Sequence, residues 1–242
     1  MQPYLFPYLG YFQLAAAVDE FWLLDTVQFI RRGWMNRNNL LVNNQKLLFT
    51  IPVNSGSRDQ LIIDKTYNRD DALKALDKLS KTILVAYKDA PYRDATLNLV
   101  RKFSLHLERT DQPVDFTTAT EIALRACFDV IGLSTPIRRV SSLGLEDTHT
   151  GQARIISVCK AIGAMEYVNM IGGHDLYKRE TFAAHGIDLW FLQPVLPQYD
   201  QRTPEFESGL SILDVIAHVP PDKIRNMLSL AEVVDPLDHR GI

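Results

Sequence analysis

The spacing of hydrophobic and polar positions along the chain predicts alternating strands and helices. Compact apolar runs with polar ends are typical of buried strands, and apolar residues at every third or fourth position are typical of helices. The predicted strands cover residues 20–25, 45–53, 137–141, 166–170 and 187–193. The predicted helices cover residues 10–19, 71–87, 92–107, 151–162, 174–185, 211–218 and 222–230, with one more that begins near Asp115 or Thr117 and ends at Gly132.

After Pro136, single helices separate the predicted strands. This order is typical of right-handed crossovers, so the sequence predicts an α/β fold with a mainly parallel, Rossmann-like sheet. Three consecutive predicted helices between about residues 70 and 133 are interpreted as an inserted helical block. We expect one domain over residues 1–234 and a flexible tail over residues 235–242.

Composition and charge limit the classes of protein to which this chain can belong. The chain has 242 residues, of which 46% are hydrophobic and 23% are charged. These values are typical of a globular chain with a sizeable core. The formal net charge is −3, whereas a nucleic-acid-binding domain usually carries an excess of Lys and Arg. No apolar run approaches the length of a membrane span and no signal peptide is visible, so a cytoplasmic protein is expected.

Polar residues follow three predicted strands. Asp25 and Gln28 follow the first strand, Gly172-Gly173-His174 follow the strand over 166–170, and Gln193 closes the strand over 187–193. In parallel α/β sheets, ligands bind beyond the carboxyl ends of the strands. We therefore expect one cleft to collect these side chains, with the N-terminal segment beside it.

The first twelve residues contain two prolines, one glycine and five aromatic residues. Prolines restrict the backbone and glycine permits its close approach, so the segment is pre-shaped. It either lines a ligand site, with an anion held where a helix starts near Gly10, or forms an aromatic plug over the core. The composition favours neither interpretation.

A second cluster combines three arginines, two asparagines and one tryptophan within eight residues. Arginine grips carboxylate or phosphate with two hydrogen bonds, and tryptophan offers a flat face. The mixture suits an anionic ligand with a planar part, and the alternative is a solvated loop with one anchoring aromatic. The cluster consists of Arg31, Arg32, Trp34, Asn36, Arg37 and Asn38.

His174 is a candidate general base because an unperturbed imidazole titrates near neutral pH. The alternative is an exposed histidine at a helix start. The six histidines show no spacing typical of metal ligands, and we expect no metal and no cofactor. Cys127 and Cys159 lie in predicted amphipathic helices, where buried, inert thiols are expected.

The step Tyr8-Leu9-Gly10-Tyr11 is similar to the HIGH signature of nucleotidyl transferases and class I aminoacyl-tRNA synthetases. Lys78-Leu79-Ser80-Lys81-Thr82 resembles their lysine-rich signature. Tyrosines stand where those enzymes carry imidazoles, and a phenol is a different electrostatic partner for phosphate. We interpret the lysine-rich segment as a solvated helix face and keep the nucleotidyl transferase as an alternative.

Four segments, 1–13, 33–38, 171–177 and 210–214, resemble the WbqC-like protein family. The resemblance runs from residue 1 to about residue 230. It implies a bacterial protein of surface-polysaccharide (O-antigen) or specialised-metabolite biosynthesis, in a family described as glycine transferases. Family members usually carry a short apolar strand before the Met-Gln-Pro step at which this sequence starts. Either the start is misassigned or the first strand is missing, and a missing strand would leave a sheet edge unpaired. The site candidates that the resemblance implies are Gln2, Pro3, Tyr4, Pro7, Gly10, Tyr11, Trp34, Asn36, Arg37, Gly172, Gly173 and Tyr177.

The leading hypothesis is an acyl or aminoacyl (glycyl-type) transferase that acts on an amine of a sugar-nucleotide or carrier-bound intermediate. Asp25 or His174 would be the base, and the Gly172–Gly173 amides would stabilise the oxyanion. Arg31, Arg32 or Arg37 would bind an anionic, nucleotide-linked or carrier-linked substrate, with an acyl carrier protein as a further partner. The alternatives are the nucleotidyl transferase and a non-catalytic module that binds nucleotide-sugars or a carrier protein.

Overall fold

The structure, a computed structural model, describes residues 1–146 and 150–235; the predicted tail residues 236–242 lie outside the described residues. The helices are α1 (Leu9–Ala16), α2 (Arg69–Ala86), α3 (Arg93–Arg109), α4 (Phe116–Ile131), α5 (Gly151–Ile162), α6 (Arg179–Ala183), α7 (Ile212–His218) and α8 (Pro221–Leu228). The strands are β1 (Phe21–Leu23), β2 (Arg37–Val42), β3 (Gln45–Thr50), β4 (Thr66–Tyr67), β5 (Val114–Asp115), β6 (Ile137–Arg139), β7 (Glu166–Met170), β8 (Asp188–Gln193) and β9 (Glu232–Val234).

The mixed α/β class is confirmed, but the strands of the described residues form four small sheets instead of one continuous sheet. The pairings β1–β6 and β7–β8 are parallel. The pairings β2–β3, β4–β5 and β8–β9 are antiparallel. Within the described residues, β1 and β7 are not paired with each other, so the two parallel pairings belong to separate sheets.

β2, the first strand of the β2–β3 hairpin, is absent from the predicted strands, whereas β3 lies within the strand predicted over residues 45–53. Asn43 and Asn44 both have positive φ, 50° and 61°, as a tight hairpin turn with the twist of paired strands requires. Asparagine tolerates this conformation better than most residues do. The Asn-Asn pair is thus the local signal that predicts a hairpin here.

The three helices of the predicted block, α2 to α4, pack into the main core with the N-terminal segment. The ring of Phe6 meets Phe103 of α3 edge-on at 5.9 Å, and Phe12 of α1 meets Phe128 of α4 at 5.8 Å. A side-chain cap starts α4, where the Asp115 carboxylate accepts the Thr118 N–H, and α4 ends at a left-handed Gly132. The block and the N-terminal segment therefore share one hydrophobic cluster.

A second, smaller hydrophobic cluster lies among α5, α6, β7 and β8. It contains Ile155, Cys159, Phe182 and Phe191, which are all buried. One continuous helix is predicted over residues 174–185, but the structure has two shorter ones. A 3₁₀ helix covers Ile171–Leu176, and α6 starts only at Arg179. The chain is extended at Tyr177, where the side chain packs against Tyr167 and Phe182 of this cluster.

An interstrand groove of about 440 Å³ separates β1 from β7. It is lined by residues of the two strands, such as Trp22 and Val168, by Leu24 directly after β1, and by residues of α1 and α5. Met1 lies on the β1 edge: its terminal amine donates to the Trp22 carbonyl at 2.7 Å, and its carbonyl accepts the Leu24 N–H at 2.7 Å. Within the described residues, neither strand has a neighbouring strand on the groove side.

Candidate functional site

The carboxyl ends of the parallel strands β1 and β6 meet at Asp25. Because Leu23 pairs with Arg139, the residues that follow the two strands lie side by side. The buried carboxylate of Asp25 accepts the Ser141 N–H at 3.0 Å and the Ser141 hydroxyl at 2.5 Å. Both carboxylate oxygens are therefore engaged in holding the turn after β6.

Residues 25–31 form a platform with residues 56–65, which we name the strand-end platform. The Asp25 carbonyl accepts the Ile63 N–H at 2.9 Å. The Gln28 amide donates to the Arg58 carbonyl at 2.8 Å, and the Arg31 guanidinium donates to the Gly56 carbonyl. Backbone and side chains thus join two loops just beyond the end of β1.

The first turn of α5 connects the strand-end platform with the residues that follow β7. Arg154 donates to the Thr26 carbonyl on the platform side. On the other side, the Gln152 side-chain oxygen accepts the Lys178 N–H at 3.0 Å. The start of α5, at which Thr150 makes no side-chain cap, therefore lies between the two groups of candidate residues.

His174, Gly172 and Gly173 lie in the 3₁₀ helix after β7. The His174 side chain is 40% exposed, and its ring packs 5.3 Å from that of Phe191. A Cβ on Gly173 would approach the Asn169 amide nitrogen to 2.6 Å, whereas Gly172 has open space around it. Within the described part of the chain, no hydrogen bond joins Asp25 to His174, so the two candidate bases do not act as one hydrogen-bonded pair.

The arginine- and asparagine-rich cluster separates into two parts. The amides of Asn36 and Asn38 are buried and donate to the carbonyls of Ile51 and Phe6, at 2.8 and 2.9 Å, so they hold the backbone around β2. Arg37 donates to the Gly33 carbonyl at 2.7 Å and lies 5.6 Å from the ring of the half-exposed Trp34. Arg31 and Arg32 are exposed, and only Arg31 contributes to the strand-end platform as described above.

The N-terminal candidates pack tightly against one another. Tyr11 is fully buried, its hydroxyl donates to the Gln2 carbonyl at 2.9 Å, and its ring stacks on Tyr4. Burial raises the pKa of the Tyr11 phenol. A Cβ on Gly10 would lie 2.6 Å from the Tyr8 ring, so the glycine allows this packing.

Pro3 and Pro7 are buried in the same segment. The segment also contacts the chain before β2, since the Leu5 N–H donates to the Met35 carbonyl at 2.8 Å. The packing matches the interpretation of this segment as an aromatic plug over the core.

Lys65 is a polar residue that the sequence pattern does not single out. Its side chain is almost fully buried, with 4% of the residue exposed. The ammonium donates to the Gln60 amide oxygen at 3.0 Å and lies 5.2 Å from the centre of the Phe29 ring. Burial, and the nearby Arg31 cation, lower the pKa of Lys65. A lysine in a polar loop is usually solvated, so only the tertiary packing reveals this one.

The cations around the platform differ in how they are neutralised. Arg139 at the end of β6 donates to the Glu121 carboxylate at 2.5 Å, and Arg125 donates to the other oxygen of Glu121. Within residues 1–146 and 150–235, neither Arg31 nor Lys65 forms an ion pair. Both cations therefore lack a counter-charge from the residues that the structure describes.

The described residues give little support to a cysteine nucleophile, a metal site, a catalytic lysine-rich segment or a membrane span. Cys127 and Cys159 are buried, as expected, and burial raises the pKa of Cys159 to about 11. No three His, Cys, Asp or Glu side chains come together as a metal site within the residues that the structure describes. The exposed Lys78 and Lys81 of α2 form a solvated face, and Lys81 pairs with Asp77. Among the described helices, none combines the length and apolarity needed to cross a membrane.

Comparison with known proteins places the chain in a family context. The sequence model of the WbqC-like protein family matches residues 2–226. An uncharacterized protein, Rv1507c, of Mycobacterium tuberculosis (strain ATCC 25618 / H37Rv) is 27% identical over 224 residues, which cover 90% of this chain and 93% of the relative. No solved structure matches the chain.

Proposed function

The chain belongs to the WbqC-like protein family, and on this premise we propose that it is an acyl or aminoacyl transferase of glycyl type. The acceptor is an amine of a sugar-nucleotide or carrier-bound intermediate. The reaction takes place beyond the carboxyl ends of β1, β6 and β7, in a Rossmann-like arrangement of these strands. Biosynthesis of a surface polysaccharide such as an O-antigen, or of a specialised metabolite, is the setting that the family suggests.

The observation that carries the proposal is the convergence of the strand-end platform and the first turn of α5 on Thr26. Arg154 of α5 reaches the Thr26 carbonyl, and Gln152 reaches the segment after β7. Ligands of parallel α/β folds bind at this edge, where loops can differ without disturbing the core. A helix start without a side-chain cap adds backbone N–H groups that suit an anionic substrate.

In the proposed reaction, the acceptor amine attacks the acyl carbon of the donor. A C–N bond forms, and the bond from the acyl carbon to the leaving oxygen or sulfur breaks, with its electron pair going to the leaving group. A base must take the proton that the amine loses. His174 is exposed enough to do so, whereas both oxygens of Asp25 are engaged by Ser141. We therefore assign the base role to His174 and a positioning role to Asp25.

The packing of Tyr11 favours acyl transfer over nucleotidyl transfer. The HIGH-like step would need its aromatic residues to face a phosphate, but the Tyr11 hydroxyl is buried and donates to the Gln2 carbonyl. A buried phenol with a raised pKa is neutral and gives a phosphate no positive charge. The Gly172–Gly173 amides remain the proposed oxyanion donors.

The test is a mass-spectrometric transfer assay on the full chain. UDP-linked amino sugars serve as acceptors, and glycyl-coenzyme A and a glycyl-loaded carrier protein serve as donors. We expect the acceptor to gain the mass of one glycyl group, and His174→Ala to lower kcat by about 10²- to 10⁴-fold, the usual contribution of a general base. His185→Ala, at an exposed histidine that contacts Lys160, is the matched control.

Unchanged turnover in His174→Ala would overturn the assignment of the base. If no donor transfers its acyl group while nucleoside triphosphates release pyrophosphate, the nucleotidyl transferase is correct instead. Tight binding of a substrate without any turnover would identify a binding module.

A further inference from the structure

The burial of Lys65 is the starting observation. Lysine is almost never fully buried unless its charge is paired. Its ammonium carries three N–H donors, and the structure provides one acceptor, the neutral amide oxygen of Gln60 at 3.0 Å. The Phe29 ring, 5.2 Å away, offers only a weak attraction to the cation. Among the described residues, no carboxylate therefore compensates this positive charge.

A second cation lies beside it. The Arg31 guanidinium donates to the Gly56 carbonyl. A Cβ on Gly56 would overlap the same Gln60 oxygen that accepts the Lys65 ammonium. Arg31 contacts Gly56 and Lys65 contacts Gln60, which are themselves neighbours. Repulsion between the two cations contributes to the lowered pKa of Lys65.

The charges around Arg139 provide a contrast within the same region. There the Glu121 carboxylate lies between two guanidiniums, as expected for a structural ion pair. Burial of the Lys65 ammonium costs free energy because the charge loses hydration, and repulsion by the neighbouring, exposed Arg31 adds to that cost. A bound anion removes both costs at once.

We propose that Arg31 and Lys65 together bind a phosphate group of the substrate, with Gln60 as the positioning residue of the lysine. Arg31 suits two phosphate oxygens through its planar fork, and Lys65 acts as a point charge. The proposed site rests on the proposed function in one respect: the phosphate is taken to be the anionic part of the nucleotide- or carrier-linked substrate.

The test is isothermal titration calorimetry on the full chain, with inorganic pyrophosphate, UDP and coenzyme A as the probes. We expect Lys65→Met and Arg31→Met each to weaken pyrophosphate binding by about 10- to 100-fold, the loss of one charge-assisted hydrogen bond or more. The controls are Lys74→Met and Arg202→Met, whose exposed side chains pair with Asp71 and Asp200.

Thermal unfolding separates a binding role from a structural one. Lys65→Met keeps the volume of the side chain and removes an unpaired buried charge, so Tm should stay the same or rise. A lower Tm with unchanged pyrophosphate affinity would mean that Lys65 is structural and would overturn the proposal. Absence of binding by all three probes to the unsubstituted chain would overturn it as well.

The three probes also distinguish the source of the phosphate. Tighter binding of UDP than of pyrophosphate supports a nucleotide-linked substrate, and tighter binding of coenzyme A supports a carrier-linked one. Lys65-dependent binding by a chain that transfers no acyl group would uphold this site and refute the proposed function. Acyl transfer with an unaltered KM in Lys65→Met would do the reverse.

Discussion

For single polar residues, the hydrogen bonds and ion pairs that each side chain makes distinguish a structural role from a candidate functional one. Asp25, Asn36 and Asn38 are buried, and each is hydrogen-bonded to a neighbouring segment. Their residue types suggest ligand contacts, but their hydrogen bonds serve the backbone. Lys65 is buried with a single neutral acceptor, which a buried charge does not tolerate without further compensation. The hydrogen-bond and charge partners of a side chain, and not its residue type, therefore identify the candidate site.

The terminal ammonium of Met1 predicts a pH dependence of stability. Burial lowers its pKa from 8.0 to about 5. Between pH 5 and pH 8 the unfolded chain therefore binds this proton and the folded chain does not, so the free energy of unfolding rises with pH across this window. The slope approaches roughly 1.4 kcal/mol for each pH unit at most. Urea denaturation at pH 5, 6, 7 and 8 measures it.

The matched control is the N-acetylated chain, which has no terminal charge. We expect acetylation to remove this part of the pH dependence and to stabilise the protein most at pH 5. Identical slopes for the two forms would show that the amine is solvated in the folded state.

Among the secondary-structure elements, those with a strong local stop signal agree best with their predicted bounds. The helix over 151–162 and the strand over 166–170 are confirmed to the residue, and Gly163 in the left-handed conformation ends the helix. The short strands β4, β5 and β9 are absent from the predictions. Their two or three residues contain no periodicity, and pairing with a distant partner defines them.

The edges along the interstrand groove predict that one added strand will stabilise the protein. We expect four β-branched apolar residues fused before Met1 to continue its pairing with β1 and to reach β7, which is five residues long. Each net kcal/mol gained should raise Tm by about 2–4 °C for a chain of this size. Differential scanning calorimetry measures the shift.

An extension of equal length with alternating prolines is the control, because proline donates no backbone hydrogen bond. If the two extensions give the same Tm, the stabilisation does not come from strand pairing.

At the scale of the whole molecule, a buried hydrogen-bond network around Asp214 connects distant parts of the chain. Its carboxylate accepts the hydroxyls of Tyr87 at 2.7 Å and Tyr199 at 2.6 Å. Tyr87 follows α2 and Asp214 belongs to α7, so the network ties the helical block to the C-terminal part of the chain. Thr96 of α3 adds a hydrogen bond to the Leu213 carbonyl at 3.0 Å. The prediction of one domain over residues 1–234 implies that these parts unfold together.

Tyr87→Phe tests this prediction. Removing the hydroxyl leaves a buried Asp214 oxygen without its donor, and we expect the free energy of unfolding to fall by about 1–3 kcal/mol. Amide hydrogen exchange should speed up in α2, α3 and α7 together. Faster exchange confined to α2 would indicate that the helical block unfolds by itself, and Tyr92→Phe, at a partly exposed tyrosine, is the control.

The sequence by itself determines the mixed α/β class, most helices and the family, because periodicity, capping residues and long motifs are local properties of the chain. It also indicates the strand ends at Asp25 and Gly172 as places for a site. Only the tertiary structure decides which side chains are partnered. Burial by distant segments turns Asn36, Asn38 and Tyr11 into supports of the backbone. Lys65 and Arg31 are neighbouring cations without an ion pair among residues 1–146 and 150–235. Charge compensation depends on contacts across the fold, which no local pattern encodes.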